Sequence, residues 1–318
     1  MFVKRICVIS CFILFCLVLL SSCTNSPSSV ETPTPTRGYA ITPTASPTVA
    51  PAQSVTSDTT PTHYTSHVLL SGVGRPDDLV FDPQGRLLFS DFYHGTISRL
   101  NADGSVTIIV SGLAGPEGVV FRSDGTMFIA EQRTNRILTL AHGARSMTML
   151  RALPGRPSGQ PCKDGVDNIA LDATTNTLIV PDSPTGNVYR MSLDGKQLTL
   201  LASGIVRPVG ATVDAQGNIY VADECGGAVV RITPDGKSTR ITGFGMPDDV
   251  AFDHHGNLLV IDLDPSIHAL IRVLQSTGQH EILASKGFIE PQGLFVDSSD
   301  NIYVSDDYAN VIVEFKPA

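Results

Sequence analysis

Tryptophan is absent from this chain, and aromatic residues make up only 6% of it. That removes one common platform for stacking sugars or bases, although it excludes neither ligand. A basic cluster is absent too. From Tyr64 onward 29 acidic residues stand against 19 basic ones, so nucleic acid is not expected as a partner. No helical period of useful length runs through this region, which argues against a helical or α/β domain. The Gly-x-Ser-x-Gly elbow of nucleophilic hydrolases is missing, and no His occupies the Pro-acid corners described below. Cysteine is scarce where a fold is expected. Of six, Cys7, Cys11, Cys16 and Cys23 precede residue 24, leaving Cys162 and Cys225.

What is present begins with a leader. Met1–Arg5 is short and basic, and Ile6–Leu20 is almost unbroken apolar sequence. About fifteen residues is short for a bilayer span, which needs about twenty, and suits the h-region of a secretory signal. Leu20-Ser-Ser-Cys23 resembles the lipobox of bacterial lipoproteins, in which cleavage precedes the Cys and the Cys carries the lipid. The resemblance implies a signal peptide over residues 1–22, lipidation of Cys23, and an extracytoplasmic protein held to the membrane by its lipid. An ordinary signal peptide with a chance Cys is the alternative. Residues 23–63 are rich in Thr, Pro and Ser and too polar to offset their ordering entropy, so they are expected to be a disordered tether.

Residues 64–318 repeat one phrase six times. An apolar strand follows a corner, as in Leu79-Val-Phe-Asp82, Val119-Val-Phe-Arg122 and Val250-Ala-Phe-Asp253. A Gly- or Asn-containing turn suited to a tight hairpin comes next, such as Pro83-Gln-Gly85 or His254-His-Gly256. A second strand then ends on an acid: Asp91, Glu131, Asp182, Asp223, Asp262 and Asp306. Third and fourth strands complete each unit, and successive corners lie 39 to 50 residues apart. Four antiparallel strands in each unit of this length predict an all-β, six-bladed β-propeller. The period is too long for most β-helices. The last unit lacks its fourth strand, and Tyr64–Leu70 is expected to supply it and close the ring.

Connectivity places the corners on one face, around the mouth of the central channel, and the Gly turns on the other. The corner positions are Asp77, Glu117, Asp167, Val209, Asp248 and Gln292, with Asp78, Asn168 and Asp249 beside them. Carboxylates crowded at one opening repel each other unless positive charge sits among them. Oxygen-only ligands suit Ca²⁺, or Mg²⁺, and not Zn²⁺. Asp77, Glu117, Asp167 and Asp248 are therefore candidate metal ligands, with Asn168, Asp249 and Gln292 as ligand-binding candidates. The alternative is that these side chains cap their own corners by accepting backbone N–H groups. The acids closing the second strands occur in all six units and are expected to be architectural. His94 and His268 sit in loops on the mouth side, and His254 and His255 in a solvated turn on the other. Blade three has an extended corner, Pro154 to Val166, carrying Cys162, and Cys225 follows Asp223 in the adjacent blade on the same face. A Cys162–Cys225 disulfide is expected, two separate thiols being the alternative.

The repeat resembles the six-bladed propellers of the gluconolactonase-like group and of NHL-repeat and virginiamycin B lyase-like proteins, over about Tyr64 to Ala318. In the lactonases a Ca²⁺-type cation is held at these corners, and the Asp of a Pro-Asp-Gly motif is taken as the base that activates water. Pro116-Glu-Gly118 and Pro247-Asp-Asp249 answer that motif here, with Glu for Asp in one and no Gly in the other. Asp167-Asn168 answers the family's Asn-Gly corner, and its leading Glu-x-Pro is missing. The resemblance implies Asp248 or Glu117 as the catalytic base of a metal-dependent lactone or ester hydrolase acting on a small molecule at the mouth. The alternatives are a non-catalytic propeller that binds a ligand or protein on the same face, and a lyase-like enzyme, although the lyase's catalytic His has no counterpart at the corners. A monomer is expected.

Overall fold

The computed structural model describes residues 63–318. The expected signal peptide, the Cys23 lipidation site and nearly all of the tether lie outside the described residues. A first strand, β1 (Tyr64–Ser71), precedes the first corner. Blade one is β2 (Leu79–Phe81), β3 (Leu87–Asp91), β4 (Thr96–Leu100) and β5 (Val106–Ser111). Blade two is β6 (Pro116–Phe121), β7 (Met127–Glu131), β8 (Arg136–Leu140) and β9 (Thr148–Ala152). Blade three is β10 (Ala170–Asp172), β11 (Thr177–Asp182), β12 (Asn187–Ser192) and β13 (Leu198–Ala202). Blade four is β14 (Pro208–Val213), β15 (Ile219–Asp223), β16 (Ala228–Ile232) and β17 (Ser238–Thr242). Blade five is β18 (Pro247–Phe252), β19 (Leu258–Asp262), β20 (Ala269–Val273) and β21 (His280–Ala284). Blade six is β22 (Pro291–Val296), β23 (Ile302–Asp306) and β24 (Val311–Pro317), completed by β1.

All the pairings are antiparallel and follow chain order, except that β1 docks on β24. There Val68 lies opposite Val313, and a bulge between Val68 and Leu70 lets the strand follow the blade's twist. The fourth strand of the last blade thus comes from the start of the domain, as the repeat predicts. The first strands of neighbouring blades touch all the way round, from β2 to β6 and finally from β22 back to β2. They are the innermost strands and enclose the channel.

The core is a ring of six apolar layers, one between each pair of blades. Val80, Leu88 and Ile97 of blade one meet Val119, Met127 and Ile129 of blade two. The last layer sets Leu79 and Phe89 against Tyr303 and Ile312 and so joins blade six to blade one. Each second strand packs on both faces, which is why its sequence reads as a continuous apolar run and not as an alternation. In every blade but the second, where Arg122 stands instead, the far-face turn is held by the Asp at the end of the first strand. Asp82 accepts N–H groups from Gln84 at 2.9 Å and Arg86 at 3.0 Å, and Gly85 takes φ 73° between them.

Candidate active site at the channel mouth

The six acids that close the second strands explain how the mouth is built. Each accepts backbone N–H groups from the loop that leads into its own blade's corner. Asp262 takes Gly245 and Met246, both at 2.8 Å, and Asp306 takes Ile289 at 2.7 Å and Glu290 at 3.1 Å. Asp91, Glu131, Asp182 and Asp223 do the same for Arg75, Ala114, Gly155 and the Val206–Arg207 pair. These carboxylates are scaffold, as their sixfold occurrence predicts. A carboxylate is needed because its two oxygens satisfy donors that would otherwise be buried without partners.

The position after the corner residue alternates around the ring: Asp78, Gly118, Asn168, Gly210, Asp249, Gly293. The polar side chains of blades one, three and five need space that the glycines of blades six, two and four leave open. A Cβ on Gly293 would lie 2.7 Å from the Asp77 carbonyl oxygen and from Asp78 Cα, and one on Gly210 2.7 Å from Asp249 Cα. The Asp78 carboxylate accepts the Val119 N–H at 2.8 Å and so reaches into blade two. Asp249 accepts the Val250 and Leu294 N–H groups, each at 2.8 Å, and reaches into blade six. Asn168 breaks the pattern: its Oδ1 accepts its own neighbour's Ile169 N–H, and its Nδ2 donates to Asp249 Oδ1 at 3.0 Å. Asp78, Asn168 and Asp249 thus form a diaphragm across the channel. For Asp249 and Asn168, both sequence-predicted ligand-binding residues, the oxygens named here are occupied by protein donors.

Above the diaphragm the corner side chains gather as expected. Asp77, Asp167, Asp248 and Gln292 border a cavity of only about 10 Å³ together with the diaphragm residues, and Glu117 joins them through a hydrogen bond to Asp77. Glu117 and Asp248 are buried, each 6% exposed, whereas Asp77 and Asp167 are partly open. Burial pushes the Asp77 carboxyl up to about 7, the Glu117 hydrogen bond opposing and the charges of Asp167, Asp307 and Asp91 adding to the rise. Burial, then the charge of Asp77, raises Glu117 well above the usual carboxylate range. Burial and Asp167 do the same for Asp248. Asp249 is pushed up to about 7 by burial against the pull of its backbone donors. Asp77 and Asp249 are therefore only partly ionised at neutral pH, and Glu117, raised further, lies beside Asp77.

Val209 contributes nothing polar; it is fully buried in the layer between blades four and five. Two residues earlier, Arg207 brings the positive charge that the crowd of acids requires. Its guanidinium donates to Asp167 at 3.2 Å, lies 3.6 Å from Asp164, and pairs closely with Glu224. Gln132 donates to the same Asp167 oxygen from blade two at 3.2 Å. Sequence reasoning missed both residues, although Arg207-Pro208 repeats Arg75-Pro76 at the opposite side of the ring. Arg75 is the second mouth cation. It pairs with Asp307 at 2.7 Å and is sandwiched between the rings of Tyr93 and Tyr308, at 3.6 and 4.0 Å.

The Cys162–Cys225 disulfide is present, with Cα atoms 6.1 Å apart. It ties the extended corner of blade three to the turn that carries Glu224, and Arg207 holds acids from both. His94 lies at the rim with its ring 2.7 Å from Asp91, and is largely exposed. His268 is in its predicted mouth-side loop, at φ 38°. On the far face, His254 is solvated but His255 is only one-fifth exposed, and both rings approach Asp300 of blade six, at 2.8 and 3.5 Å. That turn is an inter-blade contact and not a free loop.

The donor set can be compared with the expected cation. The oxygen-only chemistry suits Ca²⁺ or Mg²⁺. The arrangement does not fit: among the described residues no three His, Cys, Asp or Glu side chains are grouped so as to hold a metal ion. Asp167 is already paired with Arg207, which brings positive charge in among the corner acids.

No family model matches the chain. Solved structures do. A gluconolactonase from Xanthomonas campestris superposes with a TM-score of 0.66 at 16% identity, over 80% of this chain and 90% of that one. The fold is shared. A catalytically inactive virginiamycin B lyase from Staphylococcus aureus, with quinupristin, gives 0.61 at 18% identity over 78% and 82% of the two chains. A chain of the nidogen/laminin complex gives 0.62 at 20% identity over 72% and 88%. At these identities the likeness concerns the six-bladed propeller alone.

Proposed function

We propose that this propeller hydrolyses a lactone or ester at the channel mouth by carboxyl acid–base chemistry. The observation that carries the reading is the Asp77–Glu117 carboxyl pair, in which burial pushes Asp77 up to about 7 and raises its partner well above the usual carboxylate range. A base poised near the operating pH and an adjacent acid are what acyl transfer to water requires. Asp77, the more open of the two, takes a proton from the attacking water as the water oxygen bonds to the acyl carbon. The ring or ester C–O bond then breaks, and the leaving oxygen takes its proton from Glu117. This moves the base from Asp248 or Glu117, the residues the family resemblance implies, to Asp77. Asp248 keeps a second raised carboxyl beside the site.

Lactone turnover followed by acid release tests the reading. Asp77→Asn is expected to lower it by about 10²-fold or more, and chelation with EDTA to leave it unchanged. Unchanged turnover in Asp77→Asn would sink the reading, and loss of turnover on chelation would replace it with the metal-dependent one. A lyase acting on the same bond would use the same base on a C–H proton. Solvent ¹⁸O in the product acid marks hydrolysis, whereas a new C=C bond marks elimination.

A specific observation favours the second reading, a non-catalytic binding propeller. The space among the corner carboxyls is about 10 Å³, which is less than a substrate needs. Saturable ligand binding on this face without turnover supports that reading.

We also propose that the protein is a monomer on the outer side of a membrane, anchored by lipid on Cys23. The disulfide supports an extracytoplasmic compartment, where such bridges persist. Incorporation of labelled fatty acid that is abolished by Cys23→Ser tests the anchor, and light scattering of the detergent-free domain tests the monomer.

A further inference from the structure

A groove runs down the outside of the propeller between blades one and two. One wall is β5 with Gly112 and Leu113 after it, and the other is β8, β9 and the turn between them. The mouth-side part holds about 750 Å³. A further 140 Å³ continues it towards the far-face turns, and Ile109, Leu140 and Ala144 border both parts. The space exists because small residues line it: Ser111 and Gly112 on one side, Gly143, Ala144 and Ser146 on the other. A Cβ on Gly112 or Gly143 would meet nothing within 4 Å.

The floor is apolar. Val110, Leu113, Leu140 and Met147 are half-buried against the layer between the two blades, while Ile109 and Met149 at the rim are 38% and 59% exposed. β5 and β9 are the outermost strands of their sheets, so each offers an unpaired backbone edge. At about 3.3 Å per residue, the six residues of β5 span roughly 20 Å, room for about six residues of extended chain.

Charge decides what kind of chain fits. The protein carries a net charge of -9, yet no acid occurs from Gln132 to Lys163, a stretch with six bases. The fold brings Arg136 and Arg145 of this stretch to the groove, and Arg86 and Arg99 of blade one to its far-face end. The two acids that line it are buried and already bound. Glu131 holds Arg136 and the Ala114 N–H, and Asp82 holds Arg86 and its own turn. Arg145 is exposed and has no partner among the described residues. The accessible charge beside the apolar floor is therefore positive.

We infer that the groove is a docking site for an extended, acidic peptide segment of a partner protein. Its apolar side chains lie on the floor and its carboxylates face Arg145 and Arg136. The site is separate from the mouth and does not depend on the proposed hydrolysis.

Titration of the full chain with a fluorescent hexapeptide of alternating leucine and aspartate tests this, against the same peptide with lysine for aspartate. Saturable binding of the acidic peptide with a Kd of about 100 μM or below is expected, at least about tenfold tighter than the lysine peptide. Added salt should weaken it. Arg145→Glu should cost the acidic peptide about tenfold and improve the lysine peptide, with Tm unchanged because the residue is exposed. The methyl resonances of Met147 and Met149 should shift on titration, and that of Met246, on the mouth side, should not. The inference fails if the two peptides bind alike, if Arg145→Glu changes nothing, if Met246 responds instead, or if no saturation appears up to about 1 mM acidic peptide. Shifts of Met147 and Met149 on dilution alone would overturn it in favour of an interface between copies of this chain. Tighter binding of dodecanoate at the same methyls would overturn it in favour of a small amphiphile.

Discussion

Asn168 in blade three donates its side-chain N–H to the carboxylate of Asp249 in blade five, at 3.0 Å and across 81 residues of sequence. The bond spans blade four, where Gly210 leaves the intervening position empty, as Gly293 does beside Asp78. Gly293→Ala is therefore expected to be strongly destabilising, by about 2 kcal/mol or more. The added Cβ would meet Asp77 and Asp78 backbone atoms at 2.7 Å, and backbone cannot swing aside. Gly104→Ala is the control, at a turn with nothing within 4 Å of the new atom; it should cost only about 1 kcal/mol for its left-handed φ of 82°. Urea midpoints at constant m-value distinguish the two.

Stability should depend on pH in an inverted way near neutrality. Asp77 and Asp249, raised to about 7, and Asp307, raised to about 6, bind more protons in the native state than in the unfolded chain. Their contribution is complete below about pH 4 and is lost as pH rises through 6 to 7. Asp82, Glu131 and Asp172 are lowered, the first and last by Arg86 and Arg190 and Glu131 by Arg136, in each case against burial. Their contribution is present above the ordinary carboxylate range and is lost in stronger acid. Thermal unfolding should give a maximum Tm at about pH 5, falling towards pH 8.

Glu117→Gln separates stability from activity. Removing one acid from the crowded cluster is expected to leave Tm unchanged or to raise it. Turnover, in contrast, should fall by about 10²-fold with the loss of the proton donor. Initial rates and calorimetry on the same sample check both halves. A fall in both would make Glu117 a scaffold residue.

The acids that close the second strands should behave in the opposite way. Asp262→Asn keeps the shape but weakens acceptance from Gly245, Met246 and Asp264, and a cost of about 1–3 kcal/mol is expected. Turnover per folded molecule should be unchanged.

Reduction of the Cys162–Cys225 bridge is expected to lower stability by about 2–4 kcal/mol, since it closes a loop with a sequence separation of 63. A thiol count under denaturing, non-reducing conditions should find neither cysteine free. Cys162→Ser with Cys225→Ser should also release Asp164 from Arg207, seen as a change in the pH dependence of turnover.

The six blades and the closing strand could be read from the chain because they rest on local, repeated chemistry. Short apolar strands, Gly- or Asn-containing turns and a closing acid recur every blade, and a missing last strand has one natural donor in β1. The corner ring was legible for the same reason, since topology alone puts the corner residues on one face. The disulfide followed from that topology too. What the acids do at the mouth was decided by contacts that have no local signature. Arg207 reaches Asp167 across 40 residues and Gln132 reaches it across 35, from neighbouring blades, so two donors that no local pattern marks stand among the corner acids. The alternation of Asp78, Gly118, Asn168, Gly210, Asp249 and Gly293 stands openly in the sequence. Its meaning emerges only when the ring closes, because whether a side chain at the axis has room depends on which blades stand beside it.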